Sequence, residues 1–289
     1  MKGRRWWVGA VVGLVALATS ASAQPPLWIA HGRHATIYLF GSVHLLPVGL
    51  DWEPPLLAQV ISEANELWFE LPIDEATDVA AAKLSLRFGY LPAGDTLARV
   101  LTPDQDVRFH RVCDRLGLSA DAVERLRPWL AEVTLSLRSD EVVGATAENG
   151  VEQQLQALAP LAARRRAFET PRQQIGFLAG ANPADQIASL VETLNEIESD
   201  PRAYQKVVDG WMSGDLKALS DDAIEPLKRA SPALYRRLLS DRNARWARVL
   251  AHRLDGRGLI VMVVGAGHLV GPDGVPARLR AAGIDVEGP

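Results

Sequence analysis

The period of the hydrophobic pattern changes along the chain. Thr36-Ile37-Tyr38-Leu39-Phe40-Gly41-Ser42-Val43 is β-branched and aromatic and predicts a buried strand. After Pro54-Pro55, Leu57, Val60, Ile61, Ala64 and Trp68 recur at helical spacing, and proline suits a first helical turn. Leu67-Trp68-Phe69-Glu70-Leu71, stopped by Pro72, predicts a second short strand. That β-α-β order favours parallel pairing through a right-handed crossover.

From about Ala76 to Leu137 the signals are helical. Thr102 followed by Pro103 reads as a helix start, Gly117 as a helix end, and Ser119 as the next cap. Val151 to Ala163 reads as helix, with Pro160 marking a break, and Ala167-Phe168-Glu169-Thr170, ended by Pro171, as a short strand. Ile187, Leu190, Val191, Leu194 and Ile197 form one apolar helical face, and Trp246, Val249, Leu250 and Leu254 another. Leu259 to Val264 is the strongest strand signal, and its unbroken apolar run predicts burial on both faces. Val275 to Ala282 predicts a helix, and Ile284-Asp285-Val286 a last edge strand. The expected fold class is α/β: a mixed, mostly parallel sheet formed by N- and C-terminal segments, with a large helical insertion between them. No repeat or low-complexity tract divides the chain, so residues 24–289 are expected to be a single domain.

The amino terminus reads as an export signal. Lys2, Arg4 and Arg5 precede the apolar run Trp6 to Ala18, and Ala21-Ser22-Ala23 has the form of a cleavage site. Thirteen apolar residues are short for a membrane span, so cleavage is favoured over an anchor. Arg4-Arg5 is a poor twin-arginine match, which leaves the general route. The expectation is a periplasmic or secreted protein with no stable membrane insertion after cleavage.

Composition narrows the chemistry. The chain has 289 residues and a formal charge of −4; losing three positive charges with the leader gives −7. That balance argues against nucleic acid and anionic lipid as partners. Cys113 is the only cysteine, so an internal disulfide and a cysteine-based zinc site are excluded. A metal would have to be held by His, Asp and Glu.

Two segments carry that chemistry, Gly41-Ser42-Val43-His44 and Gly265-Ala266-Gly267-His268. Each closes a predicted buried strand. Ligands of open parallel sheets bind beyond the carboxyl ends of the strands, and glycine there permits close approach. Both imidazoles are therefore candidates for one crevice, with Glu70 at the end of a neighbouring strand. Two His and a carboxylate suit zinc, manganese, cobalt or iron. This composition yields about half a G-x-x-H by chance, so one copy means little and two at strand ends mean more. The plain structural alternative is a pair of hydrogen-bonded strand caps.

The sequence resembles the TraB/GumN family, which includes the Tiki metalloproteases. The likeness runs from Gly41-Ser42-Val43-His44 and Leu46-Pro47 through Leu67-Trp68-Phe69-Glu70, Asn149-Gly150-Val151-Glu152, Phe168-Glu169-Thr170 and Gln173-Gln174. It continues at Asp241-Arg242-Asn243 with Trp246 and ends at Val264-Gly265-Ala266-Gly267-His268-Leu269 and on to Val275. The resemblance implies a two-G-x-x-H active site on an α/β core and, in the Tiki branch, metal-dependent peptide cleavage. His44 and His268 match the motif histidines, Glu70 the acidic position, and Arg242 and Asn243 the Arg-Asn pair.

The expected activity is hydrolysis, with peptide bonds as leading substrate and a divalent manganese, cobalt or zinc ion as cofactor. His44, His268 and Glu70 would hold the metal, which would activate a water. Glu70 is also a candidate general base. Arg242 is a candidate for oxyanion or carboxylate binding, and Asn243 for a neutral donor. The alternatives are a non-catalytic binding or scaffold protein and a metal or haem carrier. Glu169 is a second candidate for the crevice, and Glu152 reads as a first-turn carboxylate favoured by the helix dipole. His31, His34, His110 and His252 read as surface groups, Arg164-Arg165-Arg166 as a solvated helix end, and Trp129, Trp211 and Cys113 as packing residues.

Overall fold

A computed structural model describes residues 24–289, so the expected export signal lies outside the described residues. A six-stranded sheet forms the centre. Its strands are β1 (Leu27–His31), β2 (Ala35–Ser42), β4 (Glu66–Phe69), β6 (Arg164–Ala167), β7 (Gly258–Gly265) and β8 (Asp285–Glu287), in the order β6-β4-β7-β2-β1-β8. A separate ribbon pairs β3 (Leu46–Pro47) with β5 (Ala145–Thr146). β2, β7, β4 and β6 run parallel to one another, whereas β1 is antiparallel to both β2 and β8. This is the mixed, mostly parallel sheet expected from the sequence.

Alternation across the sheet explains the strand sequences. Ile37, Leu39, Ile260, Met262 and Val264 face a core completed by Trp246, Leu250 and Leu254 of the helix Asp241–Leu254 and Leu279 of the helix Val275–Ala281. Phe40, Val261 and Val263 face the opposite core, with Leu57 and Ile61 of the helix Pro55–Glu63, Leu155 of the helix Val151–Leu158 and Trp211 of the helix Ala203–Ser213. β7 is buried on both faces, which is why its apolar run is unbroken.

The central segment builds a third core around Phe109, Val112, Leu135, Leu190 and Leu194. It is contributed mainly by the helices Pro103–Leu116, Pro128–Val142 and Pro183–Ser199. Thr102 accepts from the backbone of Gln105, whose side chain returns the bond, and Gly117 ends that helix, as the sequence predicts.

Three expectations change. Trp68, included in the helical periodicity, lies on β4. The Val151 helix stops at Leu158, and Arg164–Arg166 form edge strand β6 rather than a helix end. An edge strand with exposed side chains tolerates charge, and charge there blocks unwanted strand addition. Arg165 turns back to donate to the carbonyls of Pro160 (2.5 Å), Ala163 (2.7 Å) and Ala159 (3.1 Å), closing off the preceding segment. β1 was not signalled, because a five-residue strand straight after Pro25-Pro26 carries little periodicity.

The insertion also holds the exit of β2. Trp211 Nε1 donates to Gly41 O at 2.8 Å, Val151 N to Val43 O at 3.2 Å, and the Tyr204 hydroxyl to Leu45 O at 3.0 Å. Trp211→Phe keeps one aromatic ring, loses the rest of the buried indole and leaves a buried carbonyl without its donor. The expected cost is about 1–3 kcal/mol in urea denaturation, with the secondary-structure spectrum unchanged.

Candidate functional site

Four parallel strands end side by side and each delivers a polar residue. Glu169 lies two residues beyond β6, Glu70 directly after β4, and His44 two residues after β2. His268 closes the short turn Ala266–His268 that follows β7. Ser42 and Gly265 are register partners, so the two G-x-x-H segments leave adjacent strands within one residue of the same level.

Arg242 occupies the middle of this group, in the first turn of the helix Asp241–Leu254. Its Nε and Nη2 donate to the two oxygens of Glu169, both at 2.8 Å. Nη2 also donates to Glu70 Oε2 at 2.5 Å. Nη1 donates to Leu238 O at 2.9 Å and to His268 Nε2 at 3.1 Å. The five N–H donors of the guanidinium are thus all committed. Its plane lies over the Trp246 ring at 4.9 Å and the Phe177 ring at 5.5 Å.

His268 is buried against Trp246, with ring centroids 4.4 Å apart. Its Nδ1 meets Asn243 Oδ1 at 2.5 Å, and Asn243 Nδ2 donates to Asp273 O at 2.9 Å. The amide orientation is fixed by that second bond, so Nδ1 carries the proton and Nε2 a lone pair. Burial pushes the His268 pKa down to about 3, assisted by Arg242 and His44 and opposed by Glu70. The ring is neutral at pH 7.

His44 has the opposite character. Its side chain is 59% exposed, and Nδ1 lies 2.6 Å from Glu152 Oε1. The same oxygen accepts from the Ser42 hydroxyl at 2.6 Å. The Glu152 carboxylate raises His44 to about 9 against the desolvation of the ring. Glu70 is held down at about 2: burial works against ionisation, but His268, Arg242, His44 and the Gly265 N–H outweigh it. Gly265 N donates to Glu70 Oε1 at 2.9 Å. Gln174, from the helix Pro171–Ala179, donates to Glu70 Oε2 at 3.3 Å.

The structure therefore brings together His44, His268, Glu70, Arg242 and Asn243, and adds Glu169. His31 instead pairs with Glu287 at 3.0 Å on β1 and β8, and sits opposite Thr36 at the other end of β2 from His44. Sequence reasoning missed Glu152 and Ser42 as partners of His44. A glutamate in a first helical turn looks like any dipole-favoured carboxylate, and its contact lies 108 residues away in sequence. Its only local signal was the N-G-V-E segment.

Among the described residues, no three His, Cys, Asp or Glu side chains stand as a preassembled metal-holding group. The donor chemistry nevertheless fits a divalent cation. Each histidine ties Nδ1 to an oxygen acceptor, the arrangement that orients metal-bound imidazoles. A methyl group built on Gly265 would stand 3.2 Å from His44 Nε2 and 3.3 Å from Glu70 Oε1, so glycine leaves a small space that both atoms face.

Two histidines and two carboxylates gathered around an arginine at the carboxyl ends of four parallel strands define an α/β protein with a polar site at one edge of its sheet. The sequence profile described as TraB/PrgY/gumN family matches residues 26–288, so the chain belongs to that family. Searches of curated proteins and of solved structures found no match.

The protonation states fix a pH dependence for the metal-free protein. Below pH 6.5 the unfolded chain protonates His268 and the native one does not, so stability falls as pH drops from about 6.5 toward 3. Glu70 adds a second loss as pH falls below 4.5 toward 2. His44 acts oppositely: its contribution is complete below 6.5 and is lost as pH rises through about 9. The His268 part is read by difference: the urea midpoint of the parent minus that of His268→Gln, measured across pH 3–8, should shrink as pH falls from 6.5 toward 4.5.

Proposed function

We propose that the protein is an exported, divalent-metal-dependent hydrolase acting on peptide bonds. The observation that carries this reading is the shared handling of the two histidines: each has Nδ1 tied to an oxygen, His44 Nε2 faces the Gly265 position beside Glu70 Oε1, and His268 Nε2, which accepts from Arg242 Nη1, lies 3.6 Å from Glu70 Oε1. His44 Nε2, His268 Nε2 and Glu70 Oε1 would hold the cation. When bound, it supplies a Lewis acid that polarises a carbonyl and acidifies water.

The chain's own groups take defined parts. Glu70, ionised down to about pH 2, is a weak proton acceptor, which favours the ligand role over that of general base. Asn243 sets the His268 tautomer. Arg242 has no uncommitted N–H for an oxyanion, so its part is to hold Glu70 and Glu169 in place, and its Nη1 bond to His268 Nε2 would be given up where that nitrogen takes a cation. Export rests on the leader sequence; no helix among the described residues is long and apolar enough to cross a membrane.

One observation favours a second reading. A saturated arginine network is also what a non-catalytic binding protein of this fold needs, since it requires no reacting group. Elemental mass spectrometry on protein purified without affinity-tag metals separates the two. The hydrolase reading expects about one divalent metal per chain, none in His44→Ala/His268→Ala, and chelator-sensitive turnover of a peptide library. Absence of metal in the parent after incubation with zinc, manganese and cobalt would leave the binding-protein reading.

Gly265→Ala is a sharper probe of the crevice. Its φ of −46° and ψ of 133° suit alanine, so the fold should survive. The methyl would fill the space between His44 Nε2 and Glu70 Oε1. Metal affinity should fall at least tenfold with the melting temperature nearly unchanged; parental affinity would remove that space from the site.

A further inference from the structure

We propose that Glu152 is a positioning residue of the crevice, which fixes the His44 ring so that Nε2 faces Glu70 and Gly265. The inference rests on the metal-dependent reading for its consequence but on geometry for its substance. His44 is the most exposed of the gathered groups, with 59% of its side chain open to solvent. An exposed imidazole on a strand exit is free to rotate unless something holds it. Asn243 and Trp246 hold His268 by a hydrogen bond and a tilted ring contact; His44 has no aromatic ring against it among the described residues and depends on the Glu152 carboxylate at 2.6 Å.

Glu152 is itself built for this task. Its side chain is 16% exposed, and one oxygen, Oε1, accepts from both Ser42 and His44. Ser42 is the second residue of the G-S-V-H segment, so strand and histidine grip the same atom. The helix that carries Glu152 is docked directly on the histidine's backbone. Val151 N donates to Val43 O, and a Cβ at Gly150 would stand 2.0 Å from His44 O, so no other residue permits that approach. A first-turn carboxylate favoured only by the helix dipole would need none of these contacts. The region Thr146–Glu152 therefore serves the site across 108 residues of sequence: Gly150 gives access, Val151 sets distance and Glu152 orients the ring.

The consequence is measurable in two independent ways. Removing the oxygen partner of a metal-ligating histidine typically weakens metal binding by about 10–100-fold. Glu152→Ala should show a loss of that size for manganese or zinc by titration calorimetry, and Ser42→Ala a smaller one. Glu152→Gln keeps the shape and one acceptor oxygen, so it should recover part of the affinity and guards against a folding defect. Crystal structures of the metal-free parent and Glu152→Ala read the ring position directly. The expected result is one His44 rotamer in the parent and a rotated or multiple one in the variant. Failure of the two readings is distinguishable: a parent that binds no metal, with a ring released by Glu152→Ala, refutes the hydrolase reading and supports the positioning role. An unmoved ring, or metal affinity in Glu152→Ala within twofold of a metal-binding parent, overturns the positioning role.

Discussion

The Arg242 guanidinium is the constraint on which the arrangement of the crevice depends. A buried cation is tolerated only when paired and fully hydrogen-bonded, and a buried carboxylate carries the same requirement. Glu70, Glu169 and Arg242 satisfy each other, and the remaining donors go to His268 and Leu238. Such a network need not raise stability over an apolar core, because desolvation offsets the Coulomb gain. Its effect is on position. Each partner comes from a different element, so strands β6 and β4, the turn after β7 and the helix Asp241–Leu254 must be in register for any of them to be satisfied.

A second constraint comes from the strand pairing. A one-residue slip between β2 and β7 would invert both buried faces, since Ile37 and Leu39 face one core and Phe40 the other. The hydrophobic pattern thereby fixes the Ser42–Gly265 pairing, and that pairing fixes the level at which the two G-x-x-H segments leave the sheet. Core packing and site geometry are in this sense one specification. The helical insertion adds the remaining element by holding three carbonyls of the β2 exit and supplying Glu152.

How much of this was legible in the sequence follows from the range of the forces involved. The β2, β4 and β7 segments showed because burial on both faces leaves continuous apolar runs, and Thr102 and Gly117 showed because capping is local. His44, His268 and Glu70 were readable as one group because a topological rule places strand ends together. β6 was misread since Arg164–Arg166 resemble a solvated helix end until the strand's edge position is known. Glu152 was missed for a related reason. Its chemistry is set by a partner distant in sequence, and nothing in a first-turn glutamate distinguishes that partner from solvent. Arg242 was expected near the histidines and lies against His268 and Glu70, but the saturation of its donors depends on Glu169 and Leu238, whose contacts no spacing rule supplies.

The two histidines end in contrasting electrostatic states although their motifs are alike. His44 faces a carboxylate and solvent and is raised to about 9, whereas His268 faces an amide, an arginine and an indole and is lowered to about 3. Between these values the crevice holds one charged and one neutral imidazole on either side of an ionised Glu70. Separation of like groups by environment is a recurrent property of reactive sites, though ion-pair networks also produce it. The neutral ring already has its lone pair free of a proton, and only Arg242 Nη1 competes for it. The charged ring must release a proton before it can accept a cation, so occupancy and protonation at His44 exclude one another. The Glu152 carboxylate bears on both alternatives: it favours the proton in the free protein, and it keeps the ring aimed at Glu70 for whatever replaces that proton.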